Sequence, residues 1–298
     1  MSAARVLVTG STGLIGQPLV RSLRQKSVEV HGVSRTTTTD SLTHRADLAV
    51  QGQTASLLAR VNPSVIIHLA GGRDESVERL YESNVLTTVN LLQAAALLDP
   101  PPAFITAGSA AEYGEPVGGI ASESAPAQPV TDYGRAKLAS SLLARSLSKA
   151  SGIHLCIVRP FNVVSSRLPP ATALGNMRQQ LMAQTGRQRV VRCGRLDIVR
   201  DFVPLDFVVG VFLRLVELDE LPTILNVCSG IGIELGDILR AMAECLDVEV
   251  RSAADASLVA IPAAAQIIGD ASCLHRLGLS CQPSASSLAR VLVGAANE

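Results

Sequence analysis

The sequence predicts an α/β protein: a doubly wound parallel sheet over residues 1–160, followed by a smaller C-terminal α+β lobe over 161–298. Three observations carry that expectation. Apolar strand-like runs alternate with segments of helical period through the first half, the pattern of a parallel sheet covered on both faces. A glycine-rich turn stands between the first strand and the first helix. After Pro160 the alternation gives way to shorter, less regular segments, although part of 199–217 is expected to return to the first domain.

In order, Arg5-Val6-Leu7-Val8 reads as a short buried strand that stops at the glycines. Residues 14–24 repeat apolar side chains at three- and four-residue intervals, so they form a helix. Strands are expected over 28–33 and, after Asn62-Pro63, over 65–69. A long helix over 84–98 is stopped by Asp99 and the prolines behind it. A strand over 103–107, a helix over 134–150 and a strand over 153–158 complete the first domain. Crossovers between parallel strands are right-handed, which limits the arrangement to doubly wound ones. The second part is expected to hold helices over 173–185, 207–217 and 235–246, and strands over 189–193, 224–228 and 248–250. Residues 34–41, rich in Ser and Thr, read as a loop.

Composition excludes several classes. The chain is 47% hydrophobic and 17% charged, which is too apolar for general disorder. Basic and acidic residues number 26 each, whereas a nucleic-acid binder carries a basic excess, so no nucleic-acid partner is expected. The uncharged run 83–98 contains Asn84, Thr87, Thr88, Asn90 and Gln93, and is too short and polar for a membrane span of about 20 apolar residues. The N-terminus lacks a basic region followed by a long apolar stretch, so no secretory leader is expected and a cytoplasmic location follows. The six cysteines form no C-x-x-C pair and read as buried free thiols in a reducing compartment. His275 stands two residues after Cys273, but the clustered spacing of a zinc site is missing, so no metal is expected.

Thr9-Gly10-Ser11-Thr12-Gly13-Leu14-Ile15-Gly16 lies between strand and helix, as in a Rossmann-type dinucleotide site. Gly10 permits a tight turn, Gly13 lets the backbone approach a pyrophosphate, and Gly16 lets the helix pack on the sheet. Thr12, Leu14 and Ile15 complete the cofactor loop, and Leu69-Ala70-Gly71 after the 65–69 strand is expected to line the same site. The second strand ends Val33-Ser34-Arg35, without the carboxylate that would accept the ribose hydroxyls of NAD. Ser34 and Arg35 suit a 2′-phosphate, so NADP(H) is favoured over NAD(H). Asp47-Leu48, where the third strand should end, could hold the adenine.

Tyr133-Gly134-Arg135-Ala136-Lys137 is a Y-x-x-x-K at the start of a helix, and positions four apart share a face. An ammonium beside a phenol favours the phenolate and makes the pair a proton donor and acceptor near neutral pH. Tyr133 and Lys137 are also expected to contact the cofactor, Lys137 through the nicotinamide ribose. Ser109 follows the 103–107 strand at its carboxyl end, where open α/β sheets place their ligands.

With Asn84-Val85, Gly108-Ser109-Ala110-Ala111-Glu112-Tyr113-Gly114, Arg159-Pro160-Phe161-Asn162, Gly194 to Phe202 and Asn226-Val227-Cys228-Ser229-Gly230, these motifs resemble an extended short-chain dehydrogenase/reductase of the nucleotide-sugar family. The resemblance is closest to the branch of GDP-4-keto-6-deoxy-mannose reductases and NDP-hexose 4-ketoreductases. It implies catalytic roles for Ser109, Tyr133 and Lys137, and substrate contacts for Ser109, Asn162 and Arg200, the last two on the nucleotide diphosphate. It also implies a homodimer through the Asn84 and Tyr133 helices.

The family's 4,6-dehydratases carry acidic residues where this chain has Ala110 and Ala111, and Glu112 stands one position late, facing the other way if the segment is extended. Epimerase–reductases carry a cysteine in place of Ala111. The residues left suffice for NADPH-dependent reduction of the C4 keto group of a nucleotide-linked 4-keto-6-deoxyhexose in deoxysugar biosynthesis. A nucleotide-sugar 4-epimerase, a 4,6-dehydratase and, in another class, a non-catalytic NADP(H) sensor are the alternatives. Departures from the pattern, such as Val163-Val164 after Phe161-Asn162 where Gly-Pro is common, fall in the substrate lobe.

Overall fold

A computed structural model describes residues 5–36, 40–73, 76–259 and 264–294 of the chain. The chain divides into two compact units: one of residues 1–114, 126–160 and 209–225, the other of 115–125, 161–208 and 226–298.

The first unit is built on strands β1 (Arg5–Thr9), β2 (Glu29–Ser34), β3 (Thr43–Arg45), β4 (Val65–His68), β5 (Ala103–Ala107) and β6 (Leu155–Pro160), with β7 (Ile224–Val227) at the far edge. The spatial order is β7-β6-β5-β4-β1-β2-β3, and the pairings among β1–β6 are parallel. This is the doubly wound order, with its switch point between β1 and β4. Val6, Leu7 and Val8 are fully buried, as a strand covered on both faces requires. Helix α1 (Gly16–Gln25) buries Leu19 and Leu23, one turn apart. Leu57, Leu58 and Val61 of α2 (Gln51–Val61) and Leu91 and Leu92 pack with Leu7, Ile66, Phe104 and Ile157 into one core.

Two helices differ from expectation. The helix over 84–98 begins earlier: α3 (Val77–Tyr81) is capped by the Ser76 side chain, runs into a π-helical turn (Glu82–Leu86), and continues as α4 (Thr87–Ala95). The charged residues of α3 hide it from a search for apolar period, but Leu80 is buried. The Tyr133 helix, α5 (Asp132–Ser151), starts at a Thr131 cap and ends at Gly152 in the left-handed region.

In the second unit, strand Val199–Pro204 is central. It pairs antiparallel with Gly232–Glu234, and parallel with Gln266–Gly269 and with Asn162–Val164. Gln266–Gly269 also pairs with Ile120–Ala121, which places 115–125 in this unit rather than in the first domain, where the sequence boundaries put it. Gln188–Cys193 and Glu249–Ala254 form a separate parallel pair. The helices Ala173–Ala183, Leu235–Cys245 and Ala285–Val293 supply much of the apolar core. Helix Leu205–Val216 passes from the second unit into the first. The cysteines are unpaired, but only Cys156, Cys193 and Cys228 are buried; Cys245 is exposed, and Cys273 and Cys281 are half-buried. Expected burial of all six is therefore corrected. Of the loop expected over 34–41, residues 37–39 lie outside the described residues.

Candidate active site

The site of the first unit lies at the carboxyl ends of β1, β2 and β4. Gly10 has φ +64°, and a Cβ there would stand 2.8 Å from the backbone of Leu69 and Ala70. A Cβ on Gly16 would run into the carbonyl oxygen of Gly10, and one on Gly13 would lie 3.1 Å from the same atom. The loop is thus folded tightly on itself, and in the first turn of α1 the Gln17 N–H donates to the Gly13 carbonyl and the Leu19 N–H to the Ile15 carbonyl, both at 3.1 Å, while Pro18 has no N–H.

A cleft of about 440 Å³ opens beside it, lined by Gly10, Thr12, Gly13, Ser34, Arg35, Asp47, Leu48, Leu69, Ala70 and Gly71. Leu14, Ile15 and Gly16 are not on its wall: Gly16 is buried behind the loop, and Leu14 and Ile15 are half-buried. Sequence reasoning missed Thr36, Ala46, Ala49, Gly72, Glu82, Ser83 and Thr87, which also line it. Another missed residue, Asn90, pins the loop after β3 by donating from Nδ2 to the carbonyls of Leu48 (2.9 Å) and Ala49 (3.0 Å). A polar residue buried on the sheet-facing side of a helix was the available signal. Ser34 is buried, and its Oγ receives the Thr36 N–H at 3.2 Å, while Arg35 is exposed.

Behind Ala70 runs a buried hydrogen-bond chain centred on His68. Ala70 N–H donates to Thr9 Oγ1 (3.2 Å), and Thr9 Oγ1 lies 2.7 Å from His68 Nδ1. On the other side Thr88 gives its proton to the carbonyl of Asn84 (2.7 Å), so its oxygen accepts from His68 Nε2, 3.1 Å away. The tautomer is therefore Nε2–H. Burial, and then the charge of Lys137, hold the imidazole down at about 3. An unfolded histidine titrates near 6.5. The unfolded state therefore binds this proton first as pH falls, so stability present above about 6.5 is lost down towards pH 3. Denaturant melts from pH 8 to 4.5 are expected to show His68→Asn less stable at pH 8, but with a shallower acid slope by up to about 1.4 kcal/mol per pH unit. Equal slopes would mean that His68 titrates normally.

Ser109 follows the carboxyl end of β5, and Tyr133 and Lys137 stand on the first two turns of α5. Lys137 is buried and donates from Nζ to the Ala107 carbonyl at 2.9 Å, two residues before Ser109. Nζ also lies near Gly71, where an added Cβ would be 3.3 Å away. Tyr133 sits one turn earlier on the same face of α5, with the Arg73 guanidinium 4.4 Å from its ring centroid. Gly134 allows the contact with the Ser109 turn, because a Cβ there would be 2.5 Å from the Ala111 carbonyl oxygen. Residues Ala110–Glu112 form a 3-10 turn, not an extended segment. Glu112 is fully buried and paired with Arg159 at 2.7 Å.

Residues 6–228 match the model of the NAD dependent epimerase/dehydratase family. The chain belongs to that family. It is 31% identical to the dTDP-6-deoxy-L-talose 4-dehydrogenase (NAD(P)(+)) of Kitasatospora kifunensis, over 76% of this chain and 74% of the relative. It is 26% identical to the GDP-6-deoxy-D-mannose reductase of Pseudomonas aeruginosa, over 84% and 83%. The solved structure of RMD from Pseudomonas aeruginosa complexed with NADPH shares the fold, with a TM-score of 0.83 and 23% identity over 98% of this chain and 97% of that one.

As a member of this epimerase/dehydratase family the chain is an NAD(P)-dependent enzyme, and its own atoms fit the dinucleotide. At Gly10, Gly13 and Gly71 the cleft wall is bare backbone, and Asn84 Oδ1 beside Gly71 is buried with no donor among the described residues.

The remaining predicted residues lie in the second unit. Asn162 donates from Nδ2 to the Asp201 carbonyl at 2.8 Å, and Arg200 donates to the Val199 carbonyl at 2.8 Å. Asp201, next to Arg200 and fully buried, accepts from Ser229 N–H and Oγ–H, Gly230 N–H and Gly269 N–H at 2.7–3.2 Å. Burial pushes its carboxyl up and these donors pull it back. The Arg-Asp pair thus divides its labour: Asp201 anchors the 229–230 turn, and the alternation of the strand turns Arg200 the other way. Among the described residues no helix is long and apolar enough to cross a membrane, and no cluster of His, Cys, Asp and Glu could hold a metal.

Proposed function

We propose that this chain reduces the C4 keto group of a nucleotide-linked 4-keto-6-deoxyhexose with NADPH, in deoxysugar biosynthesis. The observation that carries the proposal is the minimal proton-transfer set. Ser109 follows β5, Tyr133 and Lys137 stand on the first turns of α5, Ala110 and Ala111 carry no acid, and the carboxylate of the same turn, Glu112, is buried against Arg159. Such a site can protonate an oxygen but lacks the additional acid–base pair that removal of water needs. The relatives that act on 6-deoxyhexoses, one on a dTDP sugar and one on a GDP sugar, support the same substrate class.

The residues of the glycine loop would hold NADPH, which would supply the hydride for C4. Tyr133 gives its hydroxyl proton to the C4 oxygen, so the carbonyl becomes a CH–OH. Ser109 donates a hydrogen bond to the same oxygen, where negative charge develops. Lys137, anchored on the Ala107 carbonyl, holds its ammonium one helical turn from Tyr133. Asn162 and Arg200, with the second unit as substrate lobe, are assigned to the nucleotide diphosphate, which a guanidinium matches through paired N–H groups. With NADPH deuterated at both hydrogens of the nicotinamide C4, the product sugar is expected to carry one deuterium at its own C4. Deuterium-free product, or loss of water from the sugar, would overturn the proposal.

Preference for NADPH over NADH rests on Ser34, Arg35 and Thr36, with no carboxylate at the end of β2. Arg35→Ala is expected to raise KM for NADPH about tenfold and to change KM for NADH less than about twofold, because only the 2′-phosphate loses its partner. Equal effects on both cofactors would remove Arg35 from that role. The homodimer belongs to the same proposal: Tyr81 and Leu86 of the 77–95 helical run, and Leu142 and Leu143 of α5, are exposed. A reducing cytoplasm suits the free thiols.

A further inference from the structure

Beneath Ser109 lies a charged group that the proton transfer does not use. Glu112 is 0% exposed, and Arg159, at the end of β6, is 5% exposed. One carboxylate oxygen, Oε2, accepts from Arg159 Nε (3.0 Å) and Nη2 (2.7 Å). The other, Oε1, accepts the backbone N–H of Ser109 at 2.9 Å. The Ser141 hydroxyl also bonds this carboxylate. Tyr133, Lys137 and Ser141 are spaced four apart on α5, so Glu112 reaches the same helix face as the catalytic pair. It therefore ties together the end of β5, the end of β6 and α5. Gly108 is part of the arrangement, since a Cβ there would collide with Oε1. Arg159 is steadied in turn by the Tyr113 ring, 4.6 Å from its guanidinium.

Glu112 and Ser109 form a capping box on the 110–112 turn, and its other half concerns the Ser109 side chain. Its Oγ accepts the Ala111 N–H at 3.1 Å. One lone pair of the hydroxyl is thereby occupied, which leaves its proton and a second lone pair for a further partner. A buried ion pair adds little stability over apolar groups of equal volume, so stability alone is a weak reason for this one.

We propose that Glu112, clamped by Arg159, is a positioning residue that fixes the Ser109 backbone against the Tyr133 helix and so presents the Ser109 hydroxyl as a donor to the substrate carbonyl. For the role of Ser109 this rests on the reduction proposed above. Glu112 itself touches no reactant: both its oxygens are engaged, and it has no open face.

Two variants test it. Glu112→Gln cannot serve both the Arg159 fork and the Ser109 N–H, and Glu112→Leu/Arg159→Met removes the charges together while keeping the volume. Each is expected to lower kcat about 10–100-fold, with KM for the ketosugar within about threefold and the Kd for NADPH unchanged. In a Ser109→Ala background the same substitution should lower kcat by no more than about twofold, because the group through which it acts is gone. An undiminished loss in that background, or full kcat in both variants, would overturn the proposal. Amide hydrogen exchange of residues 108–113, which needs no substrate, separates its failure from that of the reaction. Should the parent reduce no ketosugar, faster exchange at Ser109 in Glu112→Gln alone would still support the clamp, and unchanged exchange would refute it.

Discussion

Tyr133→Phe is expected to lower kcat by about 10²–10⁴-fold while NADPH binds as before. The substitution removes one oxygen and keeps the ring, its place on the first turn of α5 and the stacked Arg73 guanidinium. The cleft walls are unaffected, because Tyr133 is not among the residues lining the glycine-loop cleft. What is lost is the proton for the C4 oxygen, and neither neighbour can replace it. Lys137 is buried and bonded to the Ala107 carbonyl, and Glu112 is locked on Arg159. Stopped-flow turnover with fluorescence titration of NADPH separates the two quantities. Unchanged turnover would remove Tyr133 from the mechanism, and lost NADPH binding would make it a cofactor ligand instead.

Gly16→Ala is expected to abolish useful dinucleotide binding and to lower stability by about 1–3 kcal/mol. The methyl group would collide with the Gly10 carbonyl oxygen and stand 2.9 Å from Ser11 Cα. Both obstacles are backbone, so no rotamer change relieves them, and the loop itself must move. A shift there displaces Gly10 and Gly13, which shape the phosphate cradle. Gly52→Ala is the control: it lies in α2 with nothing within 4 Å of the added Cβ, and should be neutral or stabilising by up to about 1 kcal/mol. Calorimetry with NADPH and thermal melts read both effects. Wild-type affinity in Gly16→Ala would show that the loop relaxes freely.

Much of the first unit is legible in the sequence because its signals are local. A continuous apolar run such as Val6-Leu7-Val8 can only be a buried strand or a helix fragment, and the glycines behind it decide between them. The Tyr133–Lys137 pair needs only helical spacing to share a face. The family resemblance drawn from these motifs holds. What stays hidden depends on partners far away in the chain. Helix α3 shows little apolar period, and its start depends on the Ser76 side chain. The 3-10 turn at 110–112 has no local signal, because its geometry is set by the carboxylate of Glu112 meeting Arg159, 47 residues later. Asp201 reads as half of a motif, and only the fold shows it gathering N–H groups from 229, 230 and 269. In the second unit, Ile120–Ala121 is two residues long and pairs with Gln266–Gly269, which no local pattern announces.

The measurement that bears most directly on the function is NADPH oxidation, followed by absorbance, with a panel of GDP- and dTDP-4-keto-6-deoxyhexoses and NADH in parallel. Turnover of one nucleotide series, faster with NADPH than with NADH and lost in Tyr133→Phe, is the predicted result. Absence of NADPH oxidation with every ketosugar, while the same protein equilibrates a 4-hydroxyl nucleotide sugar with bound NAD, would contradict it and make the chain a 4-epimerase.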